Sequence, residues 1–76
     1  MKYFLSKYSH TSDDLLAEVD VSHIGPENLA GIFGQEVETF VESYRVGSKE
    51  AATLREIAGI ELDLSEGEYF LEVFGQ

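Results

Sequence analysis

The chain has 76 residues, 43% of them apolar, and reads as one domain over residues 1–76, near the lower size limit for folding without disulfides or metal. Fifteen acidic against five basic residues give a formal charge of −10, a field that repels nucleic acid and anionic lipid and attracts basic protein. Cysteine is absent, which excludes a disulfide framework, a thiolate nucleophile and a cysteine zinc site.

Lys2 to Tyr8 is apolar at Tyr3, Phe4, Leu5 and Tyr8, and predicts a strand covered in part on both faces. Only Tyr3-Phe4-Leu5 precedes the return of polar residues, far short of a signal-peptide apolar region, so the expected location is the cytoplasm. Ser9 to Asp14 is a polar turn. Beyond it Leu15, Ala17, Val19 and Val21 alternate with Leu16, Glu18 and Asp20, the pattern of a half-buried strand that closes a hairpin. Gly25-Pro26-Glu27 marks a helix start, since proline presets the first helical φ and a carboxylate suits the N-terminal dipole. Leu29, Ile32 and Phe33 form its apolar stripe, which Gly34 ends. Val37 to Val46, with Phe40, Tyr44 and Val46 in one phase, predicts a third strand.

Ser48 is read as the N-cap of a second helix with Ala51, Leu54, Ile57 and Ala58 on its buried side and Gly59 as a left-handed C-cap. Ile60 to Leu64 alternates with Glu61 and Asp63, as a strand or an extended loop; Ser65-Glu66-Gly67 turns the chain, and Glu68 to Phe74 is the last strand. The order ββαβα, then one or two strands, predicts a small α+β two-layer sandwich: a mainly antiparallel sheet of four to five strands with two helices on one face. Leu15, Ala17, Val19, Leu71 and Val73 are expected beneath the helices. The opposite face, with Glu18, Asp20, Glu68, Glu72, Phe70 and Phe74, is expected to be open.

No nucleophile motif is present: His10 and His23 lie in a turn and at a helix entrance, without a Gly-x-Ser-x-Gly context. Asp63 to Glu68 fails the calcium-loop pattern, because its glycine comes one position early and the twelfth position is Phe74. No glycine-rich phosphate loop occurs, and the His/Asp spacings define no metal site. The expectation is therefore a chain without enzymatic activity, cofactor or metal.

The charge distribution is the remaining signal. All five basic residues lie in Lys2 to Lys7 and Arg45 to Arg55, so residues 8–44 hold eight carboxylates and no Lys or Arg. Residues 56–76 carry six more, again uncompensated. Such blocks suit electrostatic capture of a basic protein, with Glu18, Asp20, Glu36, Glu38, Glu42, Glu68 and Glu72 as charged contacts and Phe70 and Tyr44 as aromatic anchors. The alternative is a small subunit or regulatory domain that self-associates, as a homodimer for example, its acids serving only solubility.

In size, acidity and lack of cysteine the chain resembles bacterial immunity proteins, the cytoplasmic partners of secreted toxins of the colicin and contact-dependent growth inhibition types. It is also similar to short bacterial proteins with an N-terminal aromatic hairpin, a Leu29-Ala30-Gly31-Ile32-Phe33 segment, a Gly59-Ile60-Glu61-Leu62-Asp63-Leu64 stretch and a Tyr69-Phe70-Leu71-Glu72 strand. The immunity resemblance implies a tight, non-catalytic complex with a cognate toxin domain, commonly a basic nuclease.

Overall fold

The computed structural model describes residues 1–75. Two seven-residue strands form the centre of the sheet: β1 (Lys2–Tyr8) pairs antiparallel with β4 (Glu68–Phe74), Leu5 facing Leu71 and Phe4 facing Glu72. Outside β1 lies β2 (Leu15–Asp20), antiparallel and reached through the polar turn, which Ser9 N–H closes onto the Asp14 carbonyl at 3.0 Å. Outside β4 lies the two-residue β3 (Tyr44–Arg45), so the order across the sheet is β2-β1-β4-β3, all antiparallel. The helices are α1 (Pro26–Ile32) and α2 (Ser48–Ala58). Among the described residues no helix is long and apolar enough to cross a membrane.

The antiparallel register puts Tyr3, Leu5, Tyr69 and Leu71 on one face, where they join Leu29 and Ala30 of α1, Leu54 of α2, and Val21, Phe40 and Val46 in one buried cluster. This is the expected two-layer α+β arrangement. Gly59 takes a left-handed φ of 66°, and Ile60 N–H reaches back to the Leu54 carbonyl, so the predicted C-cap is present. Ile60 to Asp63 runs as an irregular segment into a turn at Leu64 to Glu66, which leaves β4 as the only strand after α2 among the described residues.

Four expectations are corrected. Val37 to Val46 is not a strand: Val37–Thr39 forms a 3-10 turn, and only Tyr44–Arg45 pairs with the sheet. Phe40 and Tyr44 stack with centroids 4.8 Å apart, whereas residues four apart in a strand are separated by about 13 Å. Packing both rings against Phe33, with Phe40 buried on Tyr3, requires the chain to fold back. Next, Leu15, Ala17 and Val19 are exposed, because β2 lies at the edge of the sheet and outside the helical layer; only Val21, just past the strand, is buried. Ile57 is likewise 55% exposed, while Leu54 on the same helix is fully buried. Finally, the N-cap of α2 is Gly47, whose N–H donates to the Glu50 carboxylate at 2.9 Å, and Ser48 is already helical.

Candidate functional site

The open face of the sheet is set by the same register. Opposite the helices lie Lys2, Phe4, Ser6 and Tyr8 of β1, Glu68, Phe70, Glu72 and Phe74 of β4, Glu18 and Asp20 of β2, and Arg45 of β3. Phe4, Ser6 and Tyr8 each meet the β4 residue two positions beyond their register partner. Phe4 packs edge-on against Phe74 at 5.6 Å, Ser6 Oγ donates to Glu72 Oε1 at 2.6 Å, and Tyr8 packs edge-on against Phe70 at 5.9 Å. Diagonal contacts of this kind follow from strand twist and reward aromatic side chains. Two aromatic pairs thus bracket one charged hydrogen bond.

Glu72 is the organising group. Its carboxylate accepts from the fully buried Ser6 hydroxyl and from the Tyr8 phenol, at 3.2 and 3.1 Å to its two oxygens. Burial, and then the hydrogen bond and charge of Glu72, push the Tyr8 phenol above its ordinary pKa. A carboxylate held by two donors in one rotamer is already ordered, so contact with a cation would cost it less side-chain entropy.

Beside this group, where the β1–β2 turn meets β4, is a cleft of about 370 Å³ lined by Tyr8, Ser9, Ser12, Asp13, Ser43, Glu68, Phe70 and Glu72. Three carboxylates and two aromatic rings in one concavity suit an alkylammonium or guanidinium group, which gains from ring faces and from charge-assisted hydrogen bonds together. Arg45 pairs with Glu68 at 3.5 Å and is largely exposed. On β2, Asp20 accepts from the backbone N–H of Ser22 at 2.8 Å, and this bond holds its carboxyl below the usual carboxylate range.

Of the residues expected from sequence, the structure brings Glu18, Asp20, Glu68, Glu72 and Phe70 onto this face. Glu36, Glu38 and Glu42 are not among them; they are exposed in and around the 3-10 turn before β3. Tyr44 faces the helical side, opposite Leu71, with its ring on Phe40 and Phe33 and its hydroxyl donating to the Thr39 carbonyl at 3.4 Å. Sequence reasoning missed Tyr8, Ser6 and Asp13 as site residues. The alternation in β1 marks Tyr8 as a partner of Phe4 and Ser6 once its phase is known, but that phase comes from pairing with β4.

Neither histidine lines the cleft: His10 Nε2 meets the Leu64 carbonyl at 3.1 Å, and His23 sits in the 3-10 turn before α1. Among the described residues no group of three or more His, Cys, Asp or Glu side chains stands close enough to hold a metal ion. The family model described as a domain of unknown function (DUF7683) matches residues 2–72, and the chain belongs to that family. No curated protein and no solved structure matches the chain significantly.

Proposed function

We propose that this protein is a non-catalytic binding protein that captures a basic protein surface on its open sheet face, acting as an immunity protein toward a basic toxin domain such as a nuclease. The observation that carries this reading is the cleft in which Tyr8 and Phe70 stand beside Glu68, Glu72 and Asp13. An arginine or lysine of the partner enters there, its cation against the rings and its N–H groups on the carboxylates. The wider acidic surface steers the approach and opposes wrong partners, and the aromatic pairs supply the contact area that resists dissociation.

The test is co-expression with the product of a toxin-like gene adjacent to its own. Restored growth, lost on Glu68→Lys or Asp13→Lys in a variant that still folds, is the expected result. Both positions are suited to reversal: Asp13 is exposed, and the pair that Glu68 makes with Arg45 is a solvent-exposed one of small energetic weight. Growth that does not recover, or recovery indifferent to both reversals, would sink the reading. A second reading is favoured by the exposed Leu15, Leu16, Val19 and Phe74: a small subunit that associates with its own copies. A concentration-dependent dimer with no affinity for basic protein would establish that one instead.

A further inference from the structure

We infer that the basic partner docks by adding a strand to β2, extending the sheet beyond Leu15–Asp20; this inference rests on the basic-partner reading above. β2 is the outer strand of the sheet, and all six of its residues are exposed, Leu15 by 51%, Leu16 by 53% and Val19 by 45%. The other outer strand, β3, has only two residues and offers little template.

The phase of the ladder is fixed by Val21 N–H, which donates to the Tyr3 carbonyl at 2.8 Å. In an antiparallel ladder alternate residues bond to the same neighbour, so Val19 and Ala17 bond inward to β1, while Glu18 and Asp20 turn their backbone N–H and C=O groups to the free edge. Such a row of outward groups is a template for another strand. A register irregularity opposite Lys7 and Tyr8 ends the regular stretch near Leu16, which leaves Ala17 to Asp20 as the straight part of the template.

Charge decides which strand fits. Glu18 and Asp20 project on the open face, where Lys2 of β1 is a cation near Asp20, and residues 8–44 contain no Lys or Arg. A second copy would bring its own Glu18 and Asp20 to the same face and join two chains of net charge −10, and like charges opposed across strands destabilise pairing. An extended segment in which lysine or arginine alternates with apolar residues meets neither penalty. Its cations lie beside Glu18 and Asp20, and its apolar side chains cover Ala17 and Val19 on the other face. The turn that leads into β2 carries Ser12 and Asp13, which also line the cleft, so the added strand and the cation seat form one continuous surface.

The experiment uses the whole protein with a synthetic peptide of about seven residues alternating lysine and valine, an ordinary strand length. A second peptide of the same sequence is methylated on the backbone nitrogens that would face β2. Backbone amide exchange and proton–nitrogen correlation spectra report the outcome. The unmodified peptide is expected to slow exchange at Glu18 and Asp20 by about tenfold or more, and the methylated peptide to leave it unchanged. Peptide-induced shifts confined to Tyr8, Phe70 and Glu68, without protection at Glu18 and Asp20, would overturn strand addition and leave basic capture standing. No binding of either peptide would overturn both. Protection at these amides that grows with protein concentration alone would assign the edge to a second copy, and so overturn the inference.

Discussion

Glu72 connects the stability of the open face to its chemistry, and three substitutions separate the parts. Ser6→Ala removes one donor and leaves Glu72 held by Tyr8, for a loss of about 1 kcal/mol, typical of a single hydrogen bond. Glu72→Ala instead strands the Ser6 hydroxyl, which is fully buried, and should cost more, about 1–3 kcal/mol in urea unfolding. Equal losses would show that Ser6 finds another acceptor. Glu72→Gln keeps the shape and removes the charge, so the Tyr8 phenol should titrate closer to its ordinary value, though not fully, because burial is the larger cause of its shift. The sign of the linkage follows. Since the folded pKa of Tyr8 is raised, its contribution is complete below the unfolded value and is lost as pH rises through the folded one. Tyr8→Phe should therefore flatten the alkaline loss of stability. Asp20 and Asp63 act in the opposite sense: the Ser22 backbone N–H lowers the Asp20 carboxyl, and the Ser65 hydroxyl and N–H lower that of Asp63, so their contribution is present above the unfolded value and lost as pH falls through the depressed one. Carboxyl resonances that titrate in the usual range would remove that contribution.

Two glycines mark what the elements demand of the chain. Gly59 sits at φ 66° with open space where a Cβ would go, so Gly59→Ala meets only left-handed strain, about 1–2 kcal/mol. Gly67 enters β4 at an ordinary φ, but a Cβ there would stand 2.7 Å from the backbone oxygen of Tyr8, which cannot move without disturbing the β1–β4 pairing. Gly67→Ala should therefore destabilise more than Gly59→Ala; the reverse order in thermal unfolding would mean that the strand ends give easily. Only Gly59 was legible beforehand, because a cap is written in local sequence: a helical stripe, a glycine and an apolar residue behind it. β4, both helices and the open face with Glu18, Asp20, Glu68, Glu72 and Phe70 were legible for the same reason, from patterns within single segments, and β1 from its run of aromatic and apolar residues, though not its phase. Which strand lies at the edge is decided by pairing between distant segments, so the alternation of β2 gave the faces of Ala17 to Asp20 correctly, while its burial was misjudged and the register irregularity pairs Leu15 with Tyr8 of the open face. The aromatic stack of Phe40 on Tyr44 overrode strand propensity between Val37 and Val46. Tyr8 and Asp13 entered the cleft unannounced because the register with β4 and the fold of the turn bring them there.

At the scale of the whole molecule, the charge of −10 acts with opposite sign on the fold and on the proposed complex. Folding gathers carboxylates from the two acidic blocks onto one small surface, whereas the described ion pairs, Lys7–Glu66 at 3.3 Å and Arg45–Glu68 at 3.5 Å, each involve an exposed partner and contribute little. Repulsion therefore outweighs attraction in the folded chain. Raising sodium chloride from about 0.01 M to about 1 M shortens the screening length from about 30 Å to about 3 Å, and should raise the Tm of the isolated protein. The same change should slow association with a basic partner, because steering is lost while the aromatic contacts remain. A Tm that falls with salt would mean that the two ion pairs outweigh the repulsion, and the acidic surface would then hold no stored unfavourable energy for a cation to relieve. A Tm that rises while association slows would tie both responses to one source: carboxylates that destabilise the free chain and are neutralised when a basic surface docks.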